Sequence, residues 1–193
     1  MVLLFASNNQ HKLKEIRNAL GEDFIIKNLK DAGFIEDIPE TSNTLEGNAI
    51  LKAQHFYNKY RQHCFADDTG LEVNALGNRP GVYSSRYAGP ECDPVKNMQK
   101  LLLELQGVAD RSAHFKTIIA YIENKNIHLF DGIVEGSITV SPRGIYGFGY
   151  DPVFIPKGFN KTFAEMTLEE KNQISHRTIA VNKFITFLKM QLH

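Results

Sequence analysis

The chain is poor in cysteine, carries no net charge and has no long apolar run, and each shortage excludes a class of protein. Its two cysteines, Cys64 and Cys92, are too few for a disulfide framework and do not stand at zinc-ligand spacing. Cys64 lies in the apolar run His63-Cys64-Phe65-Ala66 and reads as a small buried hydrophobe. With 22 Lys+Arg against 22 Asp+Glu, the chain lacks the cationic excess that a nucleic-acid surface requires, so no nucleic-acid partner is expected. A small anionic ligand stays open, because it needs only a few local cations. The apolar run Val2 to Ala6 has no basic lead and predicts no signal peptide. Nothing approaches the about 20 apolar residues that span a bilayer, so a cytoplasmic protein without a membrane partner is expected. Internal repeats, low-complexity tracts and the G-x-x-x-x-G-K phosphate loop are also missing.

What is present is an ordinary globular composition: 193 residues, 42% apolar and 23% charged. A chain of this mass buries about 70% of its unfolded surface, enough for a core without disulfides or structural metal. The expectation is one domain over residues 1–193, drawn out into two lobes.

Val2 to Ala6 predicts a buried strand, Ser7-Asn8-Asn9 a tight turn, and Leu13, Ile16 and Leu20 a helix. Phe24 to Leu29 predicts a second strand and 31–43 a loop. A long helix follows, with Ala49, Ile50, Ala53, Phe56, Tyr57 and Tyr60 in one stripe and Asn43 with Glu46 as its capping pair. A strand over His63 to Ala66 is expected to end abruptly at Asp67-Asp68-Thr69-Gly70. Asp93-Pro94 marks a helix start whose apolar face is Val95, Met98, Leu101, Leu102 and Leu105. Strands around Ala113–Glu123 and Ile127–Glu135 flank a hairpin turn at Asn124-Lys125-Asn126. A helical C-terminus carries the box Thr167-x-x-Glu170 and the stripe Val181, Phe184, Ile185, Leu188. Alternating strands and helices followed by a hairpin predict an α/β protein with a mixed sheet.

Four groups of residues can carry chemistry, and each has a plainer alternative. Ser7-Asn8-Asn9-Gln10-His11-Lys12 joins a buried strand to a helix, so its backbone N–H groups and Lys12 suit an anion; it reads equally as a helix cap with a solvated lysine. Asn8 can supply the positive φ that a glycine would give. Glu40 is a loop carboxylate free to reach a metal. Lys52 falls about 40° outside the apolar stripe, a position for a cation entering a cleft or for a lysine lying along apolar surface. Adjacent carboxylates at Asp67 and Asp68, directly after a strand, need compensation and suit a hard cation such as Mg2+, with one oxygen left for water; the alternative is a turn capped by Asp. Finally, Phe148-Gly149-Tyr150-Asp151, Lys171, His176 and Arg177 suit a flat base, with Phe148 stacking and Arg177 and His176 donating to a carbonyl. Core aromatics beside a solvated helix face would look the same.

In this order, the segments resemble the inosine/xanthosine triphosphate pyrophosphatase (Ham1-like) family from Ser7 to Arg177. The most specific matches are Ala66-Asp67-Asp68-Thr69-Gly70-Leu71, Phe148-Gly149-Tyr150-Asp151-Pro152, and Glu170-Lys171-Asn172 with Ser175-His176-Arg177. Leu45 to Ala53 and Pro80 to Tyr87 are similar to family segments as well. The resemblance implies an elongated, two-lobed α/β fold around a long mixed sheet with a central cleft, a homodimer, and a need for Mg2+. It further implies hydrolysis of ITP, dITP and XTP to monophosphate and pyrophosphate, a house-cleaning of the nucleotide pool. By position it implies Asp68 as general base and metal ligand and Glu40 as the other metal carboxylate. Ser7, Asn8, Asn9, Gln10, His11, Lys12 and Lys52 fall on the phosphate side, and Thr69, Phe148, Gly149, Tyr150, Asp151, Lys171, His176 and Arg177 on substrate contacts. Two positions depart from the family pattern: Asn8 replaces a glycine, and Thr69 a serine. A Maf-like pyrophosphatase for pyrimidine triphosphates and a nucleotide sensor without turnover are the competing readings.

Overall fold

A computed structural model describes residues 2–20, 24–31, 33, 38 and 40–191. Of the stretch 31–43, residues 32, 34–37 and 39 lie outside the described residues. Seven strands and five helices follow in the order β1 (Val2–Phe5), α1 (Gln10–Leu20), β2 (Ile25–Asn28), α2 (Leu45–Tyr60), β3 (Cys64–Val73), β4 (Arg79–Gly81), α3 (Pro94–Glu104), β5 (Ser112–Glu123), β6 (Asn126–Ile138), β7 (Phe154–Pro156), α4 (Leu168–Ile174) and α5 (His176–Gln191). They form one mixed sheet of order β2-β1-β3-β5-β6-β7, with β4 on β3. β1 is parallel to β2 and β3, whereas β4 and β7 are antiparallel to their neighbours. Among the described residues, no helix is long and apolar enough to cross a membrane.

The chain divides into two compact units. The first comprises 1–68, 117–132 and 177–193, so its core is assembled from distant segments: Leu3, Phe5, Leu13, Ile16, Phe65, Tyr121, Val181 and Phe184 are all buried in it. Phe5 stacks on Phe65 with centroids 4.9 Å apart, and Phe184 lies against Phe65 and Tyr121 at 5.2 and 5.1 Å. The second comprises 69–116 and 133–176, with Leu71, Leu101, Leu105, Phe115, Phe154 and Phe163 at its centre.

Several local expectations hold. Asp93 caps α3 by accepting from the N–H groups of Val95 and Lys96, with Pro94 in the first turn; Leu101 and Leu105 are buried, although Val95 is exposed. Thr167 and Glu170 form the capping box of α4, but that helix stops at Ser175, and α5 begins afresh at His176. Three details differ. Thr44, rather than Asn43, caps α2, its side chain accepting from Gly47 N. The buried face of α2 is also turned from the predicted stripe, taking in Leu45, Asn48, Ala49, Lys52, Ala53 and Phe56. The hairpin turn is the two residues Asn124 and Lys125, both at positive φ (47° and 70°), the twist that suits a tight β-hairpin.

A fourth difference matters most. β3 does not end at Asp67-Asp68 but runs through both acids to Val73. Successive side chains on a strand point to opposite faces, so the two carboxylates diverge and each meets its own cations. That separation eases the repulsion between the two acids, so the strand continues through them.

Candidate functional site

The first unit holds a cluster of acids and cations around the middle of β3. Ala6 N–H donates to Phe65 O at 2.7 Å, which seats the β1–α1 turn beside the acids that follow Phe65. In the turn, Ser7 Oγ accepts from Asn9 N at 3.2 Å, Gln10 Nε2 donates to Asn8 O at 3.3 Å, and Asn9 Oδ1 accepts from Lys12 N at 3.1 Å. Asn9 is therefore the helix cap. Among the described residues, none from Ser7 to Lys12 has positive φ. Asn8 thus replaces glycine without strain, contrary to the expectation that its tolerance of positive φ is used. His11 is exposed.

Asp67 and Asp68 hold different partners. Lys12 Nζ donates to Asp67 Oδ1 at 3.0 Å and Arg177 Nε to Asp67 Oδ2 at 3.2 Å, while Arg177 also pairs with Glu15. On the other face, Lys52 Nζ donates to Asp68 Oδ1 at 2.9 Å and to Glu40 Oε1 at 2.8 Å, and Asn48 Nδ2 donates to Asp68 Oδ2 at 3.3 Å. Glu40 and Asp68 therefore converge: each accepts from the same ammonium. Arg177 is only 1% exposed. The sequence reading sets it against a ligand carbonyl, whereas here its guanidinium is committed to Glu15 and Asp67, because a buried cation is stable only when its donors are matched by acids.

Burial and charge then drive the two adjacent acids apart. Burial opposes ionisation of Asp67, but Lys12 and Arg177 outweigh it and hold the carboxyl well below the usual range. For Asp68 burial wins over Lys52 and Lys12, with Glu40 adding repulsion, so its pKa is raised. Burial works against the charge on Lys52 as well, yet Asp68 and Glu40 raise its pKa on balance; Lys12 is lowered, burial exceeding the pull of Asp67. Neighbouring acids pushed in opposite directions are the pattern of one structural carboxylate and one proton acceptor.

The donor set fits a hard divalent cation. Two carboxylate oxygens already converge on one positive charge, the Lys52 ammonium, at a position a divalent cation would suit. Among the described residues no set of three His, Cys, Asp or Glu side chains gathers for a metal. Two carboxylates are what Mg2+ uses when phosphate and water oxygens complete its shell.

The second unit holds the aromatic group. Lys171 and Asp151, both buried, pair at 2.6 Å, and Asp151 Oδ2 also accepts from Phe148 N at 2.8 Å. The Lys171 ammonium lies 5.2 Å from the centre of the Phe148 ring and 5.3 Å from that of Phe163. Gly147 and Gly149 both have positive φ; a Cβ on Gly147 would strike the Asp151 carboxylate, whereas one on Gly149 would meet open space. The Gly149 backbone is therefore accessible beside a half-buried Phe148. Tyr150 is core: its OH donates to Ser84 O at 2.9 Å. His176 is buried and stacks on Phe115 at 4.6 Å, and Thr69 is half-buried on β3. Sequence reasoning missed Asn48 and Glu15; both are polar residues on the buried faces of α2 and α1, the one signal that could have exposed them.

The α/β fold thus carries paired carboxylates beside buried lysines in its first unit and an aromatic–lysine group in its second. Residues 3–187 match the Ham1 family. The dITP/XTP pyrophosphatase of Flavobacterium psychrophilum is 52% identical over 98% of this chain and 100% of its own, and that of Bacillus subtilis 44% identical over 96% of both. The Ham1 protein of Staphylococcus aureus superimposes with a TM-score of 0.89 at 37% identity, covering 99% of this chain and 100% of that one. This chain belongs to the Ham1 family.

Proposed function

We propose that the protein is a Mg2+-dependent nucleoside triphosphate pyrophosphatase. Its substrates are the non-canonical purine nucleotides ITP, dITP and XTP, and its products the monophosphate and pyrophosphate. The relatives named dITP/XTP pyrophosphatase support the reaction and substrate class. The observation that carries the chemistry is the convergence of Asp68 and Glu40 on one cation position.

Water must attack the α-phosphorus in line with the departing pyrophosphate, and a positioned base must take its proton. Asp68 is that base: its carboxylate shares one cation position with Glu40 and stands beside the lysine that meets the phosphates. The attacking oxygen bonds to the α-phosphorus as the α–β bridging bond breaks, and the bridging oxygen leaves with pyrophosphate. Mg2+ held by Glu40 and Asp68 supplies charge neutralisation and polarisation of the phosphate oxygens. Lys52 and Lys12, each bound to carboxylates in this structure, are the side chains that meet the phosphates, together with the Ser7–Lys12 turn and its helix dipole.

The base lies on Phe148, against the open backbone at Gly149, with Lys171 close by. A backbone N–H offered beside the ring only donates, so it favours the 6-oxo group of hypoxanthine or xanthine and mismatches the 6-amino group of adenine. Arg177, engaged by Glu15 and Asp67, serves here by holding Asp67 instead of reading the base. The family likeness also supports a cytoplasmic homodimer, which light scattering coupled to gel filtration tests directly.

Pyrophosphate release from ITP, XTP, ATP, GTP and dTTP, with Mg2+ and with chelator, tests the reading. Cleavage of ITP and XTP well ahead of ATP, abolished by chelator, is expected. A preference for dTTP favours a Maf-like activity, and tight binding without pyrophosphate a sensor; either result overturns the proposal.

A further inference from the structure

Asn48 is fully buried on α2, and both ends of its amide are engaged. Its Oδ1 accepts from Ser42 N at 2.9 Å, and its Nδ2 donates to Asp68 Oδ2 at 3.3 Å. One helical turn further on, Lys52 donates to the other oxygen of the same carboxylate. A single face of α2 thus grips Asp68 with two prongs, one neutral and one charged. The prongs are not equivalent. The ammonium is shared with Glu40 and is the group that phosphates, or a divalent cation between the two acids, would draw away. The amide has no charge to be drawn off, and it orients the carboxylate without neutralising it.

Asn48 also reaches the segment that bears Glu40. Ser42 lies two residues after Glu40 and is folded tightly against the start of α2: its Oγ accepts from Thr44 N at 3.2 Å, and Thr44 caps the helix. At Gly47 a Cβ would run into the Ser42 side chain. One amide therefore ties together the loop that carries one acid and the strand that carries the other.

We infer that Asn48 is a positioning residue: it sets the Asp68 carboxylate against Glu40, and so fixes the spacing at which the pair takes a divalent cation and a water. This rests on the pyrophosphatase reading for its catalytic half. Manganese(II), visible by electron paramagnetic resonance, is the probe. Binding of Mn2+ to the protein without nucleotide is measured for the wild type, Asn48→Ala and Asn48→Leu. The second variant keeps the heavy-atom count and branch point, in a bulkier side chain, while losing both hydrogen bonds, and circular dichroism gives the folded fraction of each.

Both variants are expected to bind Mn2+ about tenfold more weakly, and to need about tenfold more Mg2+ for half-maximal pyrophosphate release from ITP. A loss of folded protein alone lowers the amplitude of either curve and leaves its midpoint in place. Folded variants whose Mn2+ and Mg2+ midpoints match the wild type overturn the inference. A wild type that binds Mn2+ but releases no pyrophosphate sinks the functional reading and leaves the binding comparison to decide the role of Asn48. A wild type that binds no Mn2+ removes the metal site and this inference with it.

Discussion

Asp67 and Asp68 are chemically identical neighbours with opposite surroundings, and their amide variants should separate cleanly. Asp68→Asn removes the proposed proton acceptor but keeps an oxygen for Lys52, which also retains Glu40. Turnover is expected to fall by about 10²–10⁴-fold with the thermal midpoint nearly unchanged. Asp67→Asn leaves Lys12 and Arg177 buried with too little opposing charge. Breaking such a pair costs about 3–5 kcal/mol, so the urea midpoint should drop sharply even where activity of the folded remainder persists. A thiol assay tests a different residue. Burial pushes the Cys64 thiol up to about 12, and its Sγ donates to Ala53 O, whereas Cys92 is exposed. A raised pKa keeps the neutral thiol dominant below that value, so native protein at pH 8 should yield one reactive thiol and unfolded protein two, counted with a chromogenic disulfide.

Among the elements, the β5–β6 turn departs from ideal chemistry at one position. Lys125 stands at φ 70°, where a glycine would be unstrained. Lys125→Gly creates the Asn-Gly pair that this turn favours, and is expected to raise stability by up to about 1 kcal/mol in a denaturant melt. Such a turn was legible in the sequence because hairpin chemistry is local; so were the Asp93 cap and the Thr167–Glu170 box. The limit of β3 was not. Two adjacent aspartates read as the end of a strand unless one knows that Lys12 and Arg177 approach from one side and Lys52 and Asn48 from the other. The face of α2 was misjudged for the same reason: Asn48 carries no apolar signal, and Lys52 reads equally as lying along apolar surface, until Asp68 is placed against them.

For the whole molecule, stability of the first unit rests on aromatic packing between segments far apart in the chain. Phe184 is fully buried and touches Phe65, Tyr121 and Phe130. Phe184→Ala is expected to cost about 3–5 kcal/mol, read from the shift of the urea midpoint at unchanged slope. Activity should fall only as the folded fraction falls, since the ring packs on the aromatic residues Phe65, Tyr121 and Phe130.

The order of motifs along the chain was enough to determine the family, the α/β class and the presence of Asp68, Glu40, Lys12 and Lys52 as chemical groups, because those depend on residue type and spacing. Partner choice was decided only by the tertiary structure. Arg177 reads as a ligand contact in the linear chain and becomes the buried counter-ion of Glu15 and Asp67 once α1, β3 and α5 meet. Asn48, silent in the sequence, becomes the clamp on Asp68. The physical reason is that a charge's role is set by which opposite charges share its low-dielectric surroundings, and burial brings together residues as far apart as Glu15 and Arg177.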